Sequence, residues 1–217
     1  MAYFPMFIEL KEKTCVIIGG GAVAYRKAKA LVEYEADVVI IAPNFLEELE
    51  VMGREGKVSL IRKALSVNEV EKNVLENLRK ERIVKKEIAL MICATNDRIL
   101  NESIAQWCKK SNIPVNVADQ KELCTFLFPA VVKKDGVSIG ITTSGTSPSA
   151  ASYLREQVEE LVDDEFLLFL EEIGEYRRWL KQHVTTEADR RQCLRKKVEE
   201  WKQSNISDKN KKKNMIQ

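Results

Sequence analysis

The chain of 217 residues holds one histidine, His183, and five scattered cysteines: Cys15, Cys93, Cys108, Cys124 and Cys193. No two cysteines form a C-x-x-C pair, and an odd count argues against a disulfide framework. With no short-range Cys/His cluster, no metal site is expected. Any Ser-His-Asp or Cys-His arrangement would have to use His183, which lies in a charged helical stretch. No apolar run approaches the roughly 20 residues that cross a bilayer, so no membrane association is expected. Neither sign of charge prevails: 35 Lys and Arg stand against 33 Asp and Glu. A formal net charge of +2 predicts no nucleic-acid binding. Met1-Ala2-Tyr3-Phe4-Pro5 lacks the basic and apolar regions of a signal peptide, and a cytoplasmic location is expected.

The apolar share of 45% is that of an ordinary globular protein. Its organising stretch is Cys15-Val16-Ile17-Ile18-Gly19-Gly20-Gly21-Ala22-Val23-Ala24. Four apolar residues, three of them β-branched, predict a buried strand of a parallel sheet. The glycines break it, and a helix with Ala28, Leu31 and Val32 on its inner face follows. In that context the G-x-G-x-x-A spacing points to a dinucleotide. Gly19 allows the turn, Gly21 admits the pyrophosphate, and Ala24 lets helix and strand pack closely. One part is missing. The second strand, Asp37-Val38-Val39-Ile40-Ile41-Ala42, ends in Pro43-Asn44, with no acid for a ribose. Backbone groups at Pro43 and Asn44 are the alternative holders, and this stretch does not distinguish NAD from NADP.

Along the chain, Phe4–Leu10 predicts a short strand or extended arm. Further elements are a helix over Phe45–Met52, a strand over Val58–Ile61 and a charged crossover helix over 66–86 with Val70, Val74, Leu75 and Leu78 as its stripe. A strand over Ile88–Thr95, a helix over Leu100–Lys110 and a strand over Pro114–Ala118 complete the alternation of a doubly wound sheet. The character then changes. Phe126–Val132 and Val137–Thr142 flank Lys133-Lys134-Asp135-Gly136, a strong hairpin signal. Such an apolar hairpin needs another sheet, as a second subunit would supply. Helices are expected over Ala150–Val162, Asp163–Lys181 and Asp189–Gln203. Ser204–Gln217, polar and Lys-rich, is expected as a disordered end. The expected class is α/β: a Rossmann-like parallel sheet over 1–118, a small β-rich dimerisation and active-site region over 119–149, a helical region over 150–203 and the tail.

Ligands of a parallel sheet bind beyond the carboxyl ends of its strands. Gly19–Ala24, Ala94-Thr95-Asn96-Asp97 and Asn116-Val117-Ala118-Asp119 converge there. Ala94 and Thr95 are thereby candidates for the cofactor and Asn116 for the substrate. Asp119 is either a proton acceptor or the start of a turn. The hydroxyls of Thr143-Ser144-Gly145-Thr146-Ser147 either hold anionic groups or cap the helix that follows. Lys133 and Lys134 are candidates for steering an acidic substrate. Arg155 is a better carboxylate ligand, since guanidinium groups bind carboxylates in two-pronged fashion.

Together, Phe4-Pro5-Met6-Phe7, the Gly19–Ala24 turn, Arg26-Lys27, Ala94-Thr95-Asn96-Asp97, Asn116-Val117-Ala118-Asp119, Phe128-Pro129-Ala130 and Thr143–Pro148 resemble the dehydrogenase portion of the siroheme synthases. That family comprises precorrin-2 dehydrogenases, some also sirohydrochlorin ferrochelatases, and the resemblance spans roughly residues 3–160. It implies a homodimer, NAD as cofactor, and oxidation of the tetrapyrrole precorrin-2 to sirohydrochlorin. In bifunctional members Fe²⁺ is then inserted as a second substrate. It also implies Asp119 as the catalytic aspartate, with Ala22, Val23, Pro43 and Asn44 against NAD. Ser144 stands where relatives carry glycine. The competing reading is a non-enzymatic NAD-sensing regulatory module, which usually keeps the acid this chain lacks after its second strand.

Overall fold

The computed structural model describes residues 3–71 and 87–214. These divide into two compact units, one of residues 1–129 with 142–148, the other of residues 130–141 with 149–217. The expected 119–149 region is thus distributed over both.

The first unit is a five-stranded parallel sheet in the order β3-β2-β1-β4-β5. Its strands are β1 (Thr14–Ile18), β2 (Asp37–Ala42), β3 (Ser59–Arg62), β4 (Ile88–Cys93) and β5 (Val115–Val117). All five residues of β1 are buried, as a central strand covered on both faces must be. On one face Val16, Ile18, Val39, Ile41, Met91 and Cys93 pack against Leu100, Ile104 and Cys108 of α4 (Arg98–Lys110). On the other, Ile17, Ile40 and Ile92 pack against Ala24, Ala28 and Leu31 of α1 (Ala22–Glu33) and Leu49 of α2 (Glu47–Arg54). The period-two side-chain alternation of each strand produces these two cores. α3 covers Val67–Glu71. The rest of the predicted 66–86 crossover, with Val74, Leu75 and Leu78, lies outside the described residues.

Three expectations are corrected. Phe4–Leu10 forms no strand; Phe4, Met6 and Phe7 stand exposed on an irregular segment, leaving the arm of the two readings. The hairpin begins at Ala130 rather than Phe126, because Asn116 Nδ2 and the Val115 backbone draw Phe126 and Thr125 to β5. The last helix does not stop at Gln203. No Gly or Pro follows Gly174, so nothing in the backbone chemistry ends it, and it continues to Asn214.

The second unit holds the hairpin β6 (Ala130–Lys134) and β7 (Val137–Ile141), paired antiparallel around Asp135-Gly136. Both turn residues have positive φ, 23° and 83°, as a two-residue hairpin turn demands. Lys134 Nζ donates to the carbonyls of Glu159 (3.2 Å) and Val162 (2.9 Å), capping α5 (Pro148–Leu161) at its negative end. α6 (Asp164–His183) starts where Asp163 accepts from Phe166 N, and it pairs with α7 (Glu187–Asn214). Trp201 of α7 stacks on Phe169 with centroids 4.5 Å apart and meets Phe166 edge-on. Among the described residues no helix is long and apolar enough to cross a membrane.

Candidate dinucleotide site

The sheet order reverses direction between β1 and β4, the switch point where a crevice opens at the carboxyl edge of a doubly wound sheet. The first glycines stand at that point. Gly19 has φ +124°, and a β-carbon on it would lie 2.3 Å from the Ala94 carbonyl oxygen. Only glycine serves here, for backbone shape and for space. Gly19 N donates to Ile41 O (2.9 Å), Ala94 N to Ile18 O (2.7 Å) and Leu46 N to Gly20 O (2.8 Å). The ends of β1, β2 and β4 are thereby tied together.

Gly21 differs from both neighbours: a β-carbon there would meet nothing within 4 Å. It is the N-cap of α1, whose first turn receives no side-chain cap and contains no acid. Free N–H groups, a helix dipole and unobstructed backbone fit a dinucleotide pyrophosphate. Ala22 is exposed beside it and Val23 half-buried. Pro43 and Asn44 are exposed on the far side of the turn, with the Asn44 carbonyl aimed at Gly20. Gly20 is the residue that sequence reasoning missed. Its role depends on contact with Asn44, 24 positions away, so no local signal marks it.

The β4 end is held by a side chain that pattern analysis also passed over. Asn101 on α4 is 1% exposed. Its Nδ2 donates to Thr95 O (3.0 Å), and its Oδ1 accepts from Thr95 Oγ1 (2.7 Å). Thr95 Oγ1 in turn accepts from Asp97 N (3.2 Å), and Asp97 caps α4 by accepting from Leu100 N. Position and orientation of Ala94 and Thr95 follow from this buried network.

At the β5 end Asp119 is exposed with φ +58°, a left-handed conformation that costs a non-glycine residue roughly 1–2 kcal/mol. The chain turns from Val117 to Gln120 there, and Cys124 lies against both ends of the turn. Its Sγ accepts from Val117 N (3.1 Å) and stands 3.4 Å from Gln120 O. Asn116 points inward: it is buried, and its amide donates to Phe126 O (3.2 Å).

The hydroxyl loop belongs to the same unit. Thr146 N donates to Thr143 O (3.0 Å) across Ser144 and Gly145, whose φ values are 54° and 79°. Thr143 Oγ1 donates to Ser147 O (2.9 Å), and Ser147 N donates back to it. Lys121 Nζ donates to Ser144 O, and its aliphatic stem lies against Gly145. The Thr143 and Ser147 groups so paired shape the loop, while Ser144, Gly145 and Thr146 are exposed at its tip. Arg155 lies on α5 in the second unit, paired with Glu159 and with Glu156 at 3.3 Å.

Burial pushes the thiols of Cys15 and Cys108 up to about 12 and also raises those of Cys93 and Cys124, so none presents a ready thiolate. Among the described residues no group of three or more His, Cys, Asp or Glu is placed to hold a metal.

Known proteins resemble this chain in sequence and in fold. The siroheme synthase of Pseudoalteromonas translucida (strain TAC 125) is 33% identical over 192 residues, which is 88% of this chain and 37% of that protein. The siroheme synthase of Blochmanniella pennsylvanica (strain BPEN) is 36% identical over 196 residues, 90% of this chain and 38% of its own. The chain therefore spans little more than a third of the length of these relatives. The solved structure of SirC, precorrin-2 dehydrogenase, superposes with a TM-score of 0.66 at 20% identity, covering 93% of this chain and 98% of that one, and so shares the fold. The family model described as putative NAD(P)-binding matches residues 6–130, and with the open Gly21 backbone at the sheet's switch point, the chain belongs to that putative NAD(P)-binding family.

Proposed function

We propose that the chain is an NAD⁺-dependent dehydrogenase that oxidises precorrin-2 to sirohydrochlorin. The carrying observation is Asp119, a carboxylate held in strained left-handed backbone at the carboxyl end of β5. Its exposed carboxylate stands just beyond that strand end, on the edge where a parallel sheet takes its ligands. The names borne by the relatives support the same reading.

When bound, NAD⁺ would supply a nicotinamide ring able to take up a hydride. Gly21, Ala22 and Val23 would hold the pyrophosphate at the head of α1, and the Pro43-Asn44 backbone would border the adenosine half. Ala94 and Thr95 form the floor of the crevice, fixed by Asn101. The substrate loses a hydride and a proton together, and Asp119 takes the proton. Ser144, Gly145 and Thr146 offer hydroxyl and backbone donors to the substrate's carboxylates. Asn116, its amide turned inward, contributes through the Phe126 segment. Arg155, paired with Glu156 and Glu159 on α5, is the guanidinium that the second unit holds ready for a carboxylate. The protein works as a homodimer, in which the β6–β7 hairpin finds the further sheet that a two-stranded ribbon requires.

The test is an anaerobic absorbance assay of precorrin-2 with NAD⁺. Sirohydrochlorin formed only with both protein and NAD⁺ supports the reading, and NAD binding without turnover overturns it in favour of a sensing module. Fe²⁺ added to the product then reads metal insertion above the uncatalysed rate.

A further inference from the structure

Lysine 27 of α1 carries a charge that its surroundings leave unanswered. Its Nζ lies 3.8 Å from the centroid of the Phe128 ring, and the side chain is half-buried. Among the described residues no carboxylate pairs with it. The charged or titratable groups acting on it are Arg26, its neighbour on α1, and the Cys124 thiol. In a chain with 33 acidic residues, a half-buried cation with no acid beside it is unusual, since buried charges are normally paired. Burial and the repulsion of Arg26 bring its pKa down to about 8. The ring face returns part of the lost solvation and no more.

Its place in the fold indicates where a partner enters. Phe128 ends a strap that begins at Cys124, against the Asp119 turn, and runs back along β5. Thr125 N donates to Val115 O (2.8 Å), and Phe126 O receives the Asn116 amide. Lys27 is thereby tied to the β5 and Asp119 side of α1. The contacts of that strap run to β5 and the Asp119 turn, whereas the Gly20–Asn44 contact is on the β2 side.

We propose that Lys27 is an anion-binding residue of the substrate site, its ammonium taking one carboxylate of a polycarboxylate macrocycle. This rests on the dehydrogenase reading above. The bound carboxylate replaces the missing counter-ion, and the Phe128 ring keeps the lysine stem in place while the site is empty.

The experiment compares the full chain with Lys27→Met and Lys27→Arg. KM is measured for precorrin-2 and for NAD⁺ on both sides of pH 8, together with equilibrium binding of sirohydrochlorin. Loss of one charge-assisted contact raises KM for precorrin-2 about tenfold in Lys27→Met, against less than about twofold for NAD⁺. In the parent, KM for precorrin-2 climbs above pH 8 as the ammonium loses its proton. Lys27→Arg keeps the low KM through that range, because a guanidinium stays charged. Cys124, its thiol raised from its ordinary value by burial, does not imitate this limb. A parent-like KM in Lys27→Met, or a rise confined to NAD⁺, overturns the proposal. If the parent binds sirohydrochlorin without oxidising precorrin-2, the dehydrogenase reading fails alone, and weaker sirohydrochlorin binding by Lys27→Met still supports the lysine's role. If the parent binds no tetrapyrrole, both fall.

Discussion

The carbonyl oxygen of Asn44 occupies the space that a β-carbon on Gly20 would need, at 2.0 Å from it. Backbone faces backbone at this point, so neither side can yield cheaply. Gly20→Ala is expected to destabilise the protein by roughly 3 kcal/mol, the scale of forced overpacking in a tight core. Gly21→Ala, in open space, leaves thermal stability near the parent's and weakens NAD binding by about tenfold or more, since the new methyl meets the pyrophosphate. Melting curves and dinucleotide titration of the two variants separate these effects.

Asn101 satisfies both the carbonyl and the hydroxyl of Thr95 from a fully buried position. Asn101→Leu strands these groups at a cost of about 1–3 kcal/mol. Its dinucleotide affinity falls with its stability, because Ala94 and Thr95 lose their anchor. Thr95→Ser, which keeps the hydroxyl, retains both. NADH fluorescence titration beside a denaturant melt checks the pair.

Asp119 separates function from stability. Asp119→Asn tolerates left-handed backbone, so the turn and NAD binding survive while turnover drops on the order of 10²- to 10⁴-fold. Asp119→Gly removes the strain and is expected to gain up to about 1 kcal/mol of stability with the same loss of turnover. Parent-like turnover in either variant removes Asp119 from the mechanism.

The lysine on Phe128 carries a stability signature with a definite sign. Its folded-state pKa, about 8, lies below the ordinary lysine value of 10.5, so between these two the unfolded chain holds more protons and stability rises with pH. Lys27→Met lacks this term. It is expected to be the more stable protein at pH 7, with its advantage shrinking as pH passes 8. Melting temperatures at two pH values suffice, and a pH-independent difference contradicts the unpaired cation.

In the second unit, Lys134→Met deprives the last turn of α5 of its two hydrogen bonds from Nζ. A loss of about 1 kcal/mol is expected, localised to that turn. Faster amide exchange near Leu161 and Val162, with the first unit unchanged, is the expected record.

The order of the described strands and helices over 14–71 and 88–117 was legible in the chain because each element is specified by neighbours in sequence. The β-branched run of β1, the glycines that break it and the Ala24, Ala28, Leu31 spacing all act within one or two turns. The same holds for the Asp135-Gly136 hairpin, where positive φ selects the residues. A parallel sheet places its strand ends at one edge, and that rule is what named the candidate segments from the chain. Roles inside those segments were decided by particular contacts, some between positions as far apart as Gly20 and Asn44. Asn44 makes Gly20 indispensable, Asn101 anchors Thr95, Phe126 turns the Asn116 amide inward, and Thr143 spends its hydroxyl on Ser147. Nothing in Lys27's local helical pattern distinguishes it from Lys29, which is exposed on the same helix. Hydrophobic periodicity and turn chemistry are local and survive in one dimension. Whether a polar group is satisfied, or a charge is left without its counter-ion, depends on what folding brings beside it, and so only the tertiary structure decided it.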